Sequence, residues 1–223
     1  MKVGLFGGTF NPPHYGHLRA GEEVRERLGL GKVLFIPAGN PPLKAEGLEE
    51  ASIRLSMTEI AVSGNPFFEV SDIECKTREK SYSVDTVRRL KELHPEDELF
   101  FVLGIDAFMD LPMWKDPETL TSLVDFIVIS RPPFCFGPAE VSPFLKGGGA
   151  LRGLDGGGAD SLSRTLLSGR AAHFLRLTPI GISASEIRMT LGEGGSIKYL
   201  LPPDVESFII SHGLYSVERR DRV

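Results

Sequence analysis

Cysteine is nearly absent from the chain: Cys75 and Cys135 are the only two in 223 residues. They form neither a CxxC pair nor a disulfide framework, which fits a reduced cytoplasm and simple packing roles. No apolar run approaches the roughly 18 residues that a membrane helix needs. The start of the chain has one Lys before Gly7-Gly8, too little apolar length for a secretory signal. Positive charge is not in excess either. Twenty-five Lys and Arg face 30 Asp and Glu, a net charge of −5, so no basic field points to nucleic acid. A phosphate-rich ligand would have to be held by local positive groups. The expectation is a cytoplasmic protein with neither a membrane nor a nucleic-acid partner. Its length suits one α/β domain with a full core, or one domain plus a small appendage.

What is present is an alternation of strand-like and helical runs. Strands are predicted at 2–6, 32–37, 67–73, 99–105, 126–130 and 174–178. Helices are predicted at 15–28, 50–62, 83–93, 117–123, 185–191 and 204–212. Such alternation implies a Rossmann-like α/β fold, a doubly wound parallel sheet, followed here by a small C-terminal helical part. The core would span 1–181 and the helical part 182–223. Leu99-Phe100-Phe101-Val102-Leu103 is continuously apolar, as a central strand covered on both faces requires. In this architecture ligands bind at the carboxyl edge of the strands. His14 and His17 follow strand one, Asn40 and Lys44 strand two, Asp106 strand four and Arg131 strand five. The stretch 132–172 breaks the pattern, with Pro132, Pro133, Pro138 and Pro143 ahead of seven glycines at 147–158. It is expected to bury little, as a mobile excursion with a short helix near 161–167, either a surface insertion or a lid.

The densest signal is Gly7-Gly8-Thr9-Phe10-Asn11-Pro12-Pro13-His14-Tyr15-Gly16-His17. A strand, a glycine turn and a helix start expose backbone N–H groups to a phosphate. The two histidines share one side of the first helical turn, where imidazoles can donate to phosphate oxygens. A zinc site would need three or four protein ligands, and no metal-like spacing accompanies the pair. A second anchor is Ile182-Ser183-Ala184-Ser185-Glu186-Ile187-Arg188. Ser183 and Glu186 are spaced as a capping box. Capping leaves Arg188 unexplained, and hydroxyls, helix N–H groups and one guanidinium together make a polyphosphate cradle.

The first string resembles the (H/T)xGH signature of the nucleotidylyltransferases, and the second resembles their ISSTxxR motif, with Ala184 and Ser185 in the central positions. Ala38-Gly39-Asn40-Pro41-Pro42-Leu43-Lys44, Ser81-Tyr82-Ser83-Val84-Asp85-Thr86, Gly104-Ile105-Asp106 and Leu111-Pro112-Met113-Trp114 follow in order, as does a tail from Tyr199 to Tyr215. Together they resemble the bacterial nicotinate mononucleotide adenylyltransferases from Lys2 to about Tyr215, apart from the glycine-rich stretch. Asn11 stands where Asp is usual, and Leu43 where His is usual.

The resemblance implies adenylyl transfer from ATP to nicotinate mononucleotide in NAD biosynthesis, with Mg2+ delivered by ATP and no metal site of the chain's own. His14, His17, Lys44 and Arg188 would be catalytic. Gly7, Gly8, Thr9, Phe10, His14, His17, Gly104, Asp106, Ile182, Ser183, Ser185 and Arg188 would bind ATP. Asn40, Lys44, Ser83, Thr86 and Trp114 would bind the mononucleotide, Trp114 by stacking on the pyridine ring. Local chemistry leaves alternatives open: Trp114 as a core anchor, Thr86 and Asp106 as caps, Lys44 as a solvated charge. The rival functions are phosphopantetheine adenylyltransferase, which shares the fold and first motif, and a non-catalytic nucleotide sensor. Trp114, the Ser81-Tyr82-Ser83 string and the chain length argue against the first. The presence of His14, His17 and Arg188 together argues against the second.

Overall fold

A computed structural model describes residues 1–42, 47–77, 79–130, 133–147 and 150–216. Its strands are β1 (Lys2–Gly8), β2 (Lys32–Pro37), β3 (Phe68–Val70), β4 (Glu98–Gly104), β5 (Asp125–Ile129), β6 (Ser161–Thr165) and β7 (Ala171–Leu175). They form one sheet in the order β3-β2-β1-β4-β5-β7-β6. Every neighbouring pair is parallel except β6 with β7 at the edge. The helices are α1 (Tyr15–Leu28), α2 (Ala51–Val62), α3 (Ser83–Leu93), α4 (Ile105–Met109), α5 (Pro117–Leu123), α6 (Arg152–Asp155), α7 (Ala184–Gly192) and α8 (Pro203–Ser211). None of the described helices is long and apolar enough to cross a membrane.

The side-chain period of two divides the core into two layers. Leu99, Phe101 and Leu103 of β4 face one cluster with Val84, Val87 and Leu90 of α3 and Leu120 of α5. Phe100 and Val102 face the other, with Phe35 of β2 and Val24 of α1. The apolar run 99–103 is therefore continuous because both faces are covered. From β1 the chain steps outward to β2 and β3, then returns to place β4 on β1's other side. The crevice outside the carboxyl ends of β1 and β4 is the topological switch point, where such sheets bind ligands. A third cluster joins Met57 of α2 to Ile187 of α7, Val205 and Ile209 of α8, and Tyr215.

The doubly wound parallel sheet matches expectation, with three local corrections. The third strand is shorter because the chain turns at Asp72, where Cys75 N–H bonds back to its carbonyl at 2.9 Å. The last parallel strand begins earlier, at Ala171, because its register is set by β5 and by an antiparallel partner. That partner is β6, which replaces the short helix expected near 161–167. Its polar sequence Ser-Leu-Ser-Arg-Thr carries a weak alternation. The turn at Ser168-Gly169, with Gly169 at φ 89°, closes the hairpin and was the usable signal.

The stretch 132–172 also does not bury little. Phe136, Phe144, Leu145, Leu151, Leu154 and Leu166 all lie in the larger core cluster. The Asp155 carboxylate accepts from Phe136 N–H at 2.8 Å and Gly137 N–H at 2.9 Å, pinning the segment to itself. Leu166 is fully buried, whereas its neighbour Leu167 is exposed. Leu166→Ala should lower the unfolding free energy by about 2–5 kcal/mol, and Leu167→Ala by less than about 0.5 kcal/mol. Urea titrations of the two variants check this; equal small losses would make the stretch an unpacked insertion after all.

Candidate active site

The first phosphate motif leaves β1 at Gly7-Gly8 and enters α1 at His14, its N-cap. Phe10 occupies a left-handed backbone position, φ 45°, yet is fully buried. Its ring lies edge-on to Phe6 at 6.1 Å and to His17 at 5.0 Å. Ring packing thus holds a turn that a non-glycine residue disfavours, a strain typical of functional loops. The imidazoles of His14 and His17 stack at 3.7 Å. His14 N–H donates to His17 Nδ1 at 3.3 Å. A neutral His17 must then carry its proton on Nε2. Both rings stand at a helix N-terminus, where the macrodipole and backbone N–H groups favour an anion.

The second motif is brought to the same place. Ser183 caps α7 by accepting from Glu186 N–H at 3.1 Å. Arg188 donates to the Asn11 backbone carbonyl at 2.7 Å and reaches Ser185 Oγ at 3.4 Å. The Ile182 carbonyl would lie 3.6 Å from a Cβ at Gly16, so the segment entering α7 runs against the first turn of α1. Glu23 of α1 steers that segment. Its buried carboxylate accepts from Thr178 N–H at 3.1 Å and from Arg19 and Arg27. Burial pushes the Glu23 carboxyl up, but the Thr178 and Arg19 contacts outweigh it and hold the group below its ordinary value.

Asn11 is the junction. Its Nδ2 donates to the Gly47 carbonyl at 2.9 Å. Its Oδ1 accepts from Tyr215 Oη at 2.7 Å and from Glu49 N–H at 3.3 Å. An amide supplies a donor and an acceptor at once, which a carboxylate cannot; this suits the Asn that stands where Asp is usual. Burial pushes the Tyr215 phenol up, so it remains a donor. Beneath the junction lies Arg54, fully buried. Its guanidinium donates to three carbonyls: Thr9 at 2.8 Å, Gly39 at 2.9 Å and Glu49 at 2.9 Å. Burial lowers its pKa, with Cys75, Tyr215 and Glu74 pulling the other way.

Elsewhere at this sheet edge, the loop after β2 packs on the segment leading to α3. Asn40 N–H donates to Ser81 Oγ at 3.1 Å, and Ser81 N–H returns a bond to the Asn40 carbonyl at 2.9 Å. Gly39 can be no other residue here, because a Cβ would overlap the Glu74 carbonyl. Ser83 opens α3, and Thr86 in its first turn donates to Glu74 Oε1 at 2.7 Å. Thr86 is therefore not a helix cap. Trp114 follows a 3₁₀ turn at Leu111–Met113, edge-on to Phe101 at 6.1 Å and partly exposed. Its segment is tied to α3, since Lys115 bonds Asp85 at 2.8 Å and Arg88 bonds Asp116 at 3.0 Å. Gly104 ends β4 and caps α4, putting Asp106 in a first helical turn beside the switch point. Lys44, with Leu43, lies outside the described residues, as does Arg131.

The motifs therefore converge at one sheet edge. Sequence reasoning missed Glu23, Arg54 and Glu74. Arg54 had a signal: it shares the buried stripe of α2 with Met57 and Thr58 at i+3 and i+4, where an arginine needs a reason.

The sequence matches the cytidylyltransferase-like family over residues 5–190. Similar curated proteins include one from Geotalea daltonii, 39% identical over 217 residues, covering 97% of this chain and 99% of its own. Another, from Trichlorobacter lovleyi, is 41% identical over 216 residues, covering 96% and 99%. Each is named a probable nicotinate-nucleotide adenylyltransferase. Among solved structures, Plasmodium falciparum nicotinic acid mononucleotide adenylyltransferase complexed with NaAD superposes with a TM-score of 0.74 at 21% identity, covering 96% of this chain and 97% of that one. The same enzyme complexed with APC gives 0.72 at 21%, covering 96% of each. These two likenesses show the fold.

Arg54→Met keeps the side-chain length but orphans three carbonyls. It should cost on the order of 3 kcal/mol or more of stability, read from chemical denaturation. A loss below about 1 kcal/mol would mean that the loops at Thr9, Gly39 and Glu49 hold together without it.

Proposed function

We propose a division of labour that starts from one premise: the chain belongs to the cytidylyltransferase-like family and, within it, to the nicotinate-nucleotide adenylyltransferases. It is an enzyme of NAD biosynthesis. It transfers the adenylyl group of ATP to nicotinate mononucleotide, forming nicotinate adenine dinucleotide and pyrophosphate.

The observation that supports the division is the Arg188–Asn11 bond of 2.7 Å, which joins the starts of α1 and α7. The acceptor's 5′-phosphate oxygen attacks the α-phosphorus, and the bond from that phosphorus to the bridging oxygen of the β-phosphate breaks. The nucleophile is already ionised, so no protein base is needed. Catalysis is then positioning and charge stabilisation. His14 and His17 donate to oxygens of the transferred phosphoryl group, with backbone N–H groups from Gly7, Gly8, Thr9 and Phe10 beneath. Ile182, Ser183, Ser185 and Arg188 hold the departing pyrophosphate, for which Arg188 exchanges the Asn11 carbonyl for phosphate oxygens. Gly104 and Asp106 take the adenosine. Asn40, Ser83, Thr86 and Trp114 take the mononucleotide, with Lys44 assisting at the reacting phosphates. Mg2+ enters as part of the ATP substrate. Imidazole, hydroxyl and guanidinium donors suit phosphate oxygens and do not make the oxygen cage a hard cation prefers.

Pyrophosphate release from ATP tests the assignment when nicotinate mononucleotide, nicotinamide mononucleotide and phosphopantetheine are offered separately. Nicotinate mononucleotide should give the highest kcat/KM. A preference for phosphopantetheine would move the chain to the rival reaction, and no turnover with any acceptor would make it a nucleotide sensor. In the same assay His17→Ala should lower kcat by about 10²–10³-fold, the loss of one preorganised donor. Near wild-type turnover would remove His17 from the mechanism.

A further inference from the structure

Glu74 sits in the turn after β3 and is claimed by none of the roles above. Its carboxylate receives the Thr86 hydroxyl at 2.7 Å, and the Ser81 hydroxyl and the Gly39 backbone N–H beside it favour its ionised form. It thereby ties the loop after β2 to the start of α3. A hydroxyl has one proton. While Glu74 is ionised, the Thr86 proton is committed to it, with the Tyr82 carbonyl 3.3 Å away as the other acceptor. Thr86 then offers a ligand only lone pairs. Those suit the N–H of a carboxamide and repel a carboxylate. With a proton on Glu74, the bond reverses: the carboxyl O–H donates to Thr86 Oγ1, and the Thr86 proton turns to the ligand.

We propose that Glu74 is a positioning residue that sets specificity, and that nicotinate mononucleotide binds with uptake of one solvent proton by the Glu74–Thr86 pair. The inference rests on the reading above that Thr86 binds the mononucleotide, and it takes the Thr86 hydroxyl to face the pyridine substituent. The uptake neutralises Glu74 as a second carboxylate arrives and gives that carboxylate a donor. The nicotinamide ligand needs no such proton. The surroundings permit the change. Burial pushes the Glu74 carboxyl up despite its hydrogen bonds and Arg54. Among the described residues, the charged and titratable groups around it are Arg54 of α2 and the thiol of Cys75, with Asp72 and Glu59 acting on that thiol. The α3 side presents the Thr86 and Ser81 hydroxyls.

The sign follows from linkage. The ligand prefers the protonated pair, so affinity falls as pH rises above the free pair's pKa, by about tenfold per pH unit for one proton. The ligand phosphate titrates too, but it is common to both mononucleotides and cancels in their comparison. Calorimetry of the wild-type enzyme in buffers of different ionisation enthalpy should show about one more proton taken up with nicotinate than with nicotinamide mononucleotide. The ratio of their kcat/KM values should fall with rising pH in the wild type. In Glu74→Gln the ratio should be flat, because the amide can always donate to Thr86 Oγ1. Equal uptake for the two ligands overturns the proposal, as does an unchanged pH profile in a folded Glu74→Gln. Thr86→Val separates the two levels. If it leaves the ratio unchanged, Thr86 does not face the pyridine substituent and the proposal falls with that placement. If it shifts the ratio while the wild type shows no differential uptake, the placement stands and the Glu74 inference fails alone.

Discussion

The site depends on Asn11 being bonded on every side. Its carbonyl takes the Arg188 guanidinium, and its amide bridges Gly47, Glu49 and Tyr215. Through those bonds the turn after β1 is fixed against segments as distant in sequence as Tyr215. A phosphate chain contacting two helix starts needs both at a set separation, and neither α1 nor α7 can set it alone. The α7–α8 region packs on α2 through its own apolar cluster, and the sheet packs through two others. Asn11 supplies a polar junction between these separately packed parts.

Electrostatics explains why the junction is polar. The chain carries a net charge of −5, yet its substrates bring a triphosphate and a further phosphate. Attraction must therefore be local, and in the proposed site it comes from helix N-termini, stacked imidazoles and Arg188. Arg54 adds a buried cation beneath the same turn, and it bonds only carbonyls among the described contacts. Placed there, its charge also reaches Glu74 and Tyr215. It braces the loops and biases nearby ionisations toward anions, against the burial that favours neutral forms.

Much of this was legible in sequence because it is periodic or contiguous. The continuous run at 99–103 marked the central strand, and the eleven residues from Gly7 to His17 marked the turn from β1 into α1. The helices at 15–28, 83–93 and 117–123 begin and end where their patterns do. What stayed hidden depends on contacts between distant segments. Glu74 meets Thr86 only because the segment after β3 folds back on the start of α3, twelve residues on. Glu23 reads as one more charge on an amphipathic helix until Thr178 N–H arrives 155 residues later. The 132–172 stretch misled because its glycines and prolines masked six apolar side chains that complete the core. Its strand β6 is polar on a sheet edge, where alternation has little to report.

The central claim is that the starts of α1 and α7, locked at Asn11, form one polyphosphate site. A crystal structure with a non-hydrolysable ATP analogue and nicotinate mononucleotide tests it most directly. The triphosphate should lie between His14, His17 and Ser185, with the Arg188 guanidinium moved from the Asn11 carbonyl to phosphate oxygens. The Asn11 amide should keep its bonds to Tyr215, Gly47 and Glu49 throughout. A triphosphate touching only one helix start, or an Arg188 that stays on Asn11 and contacts no phosphate, would contradict the account.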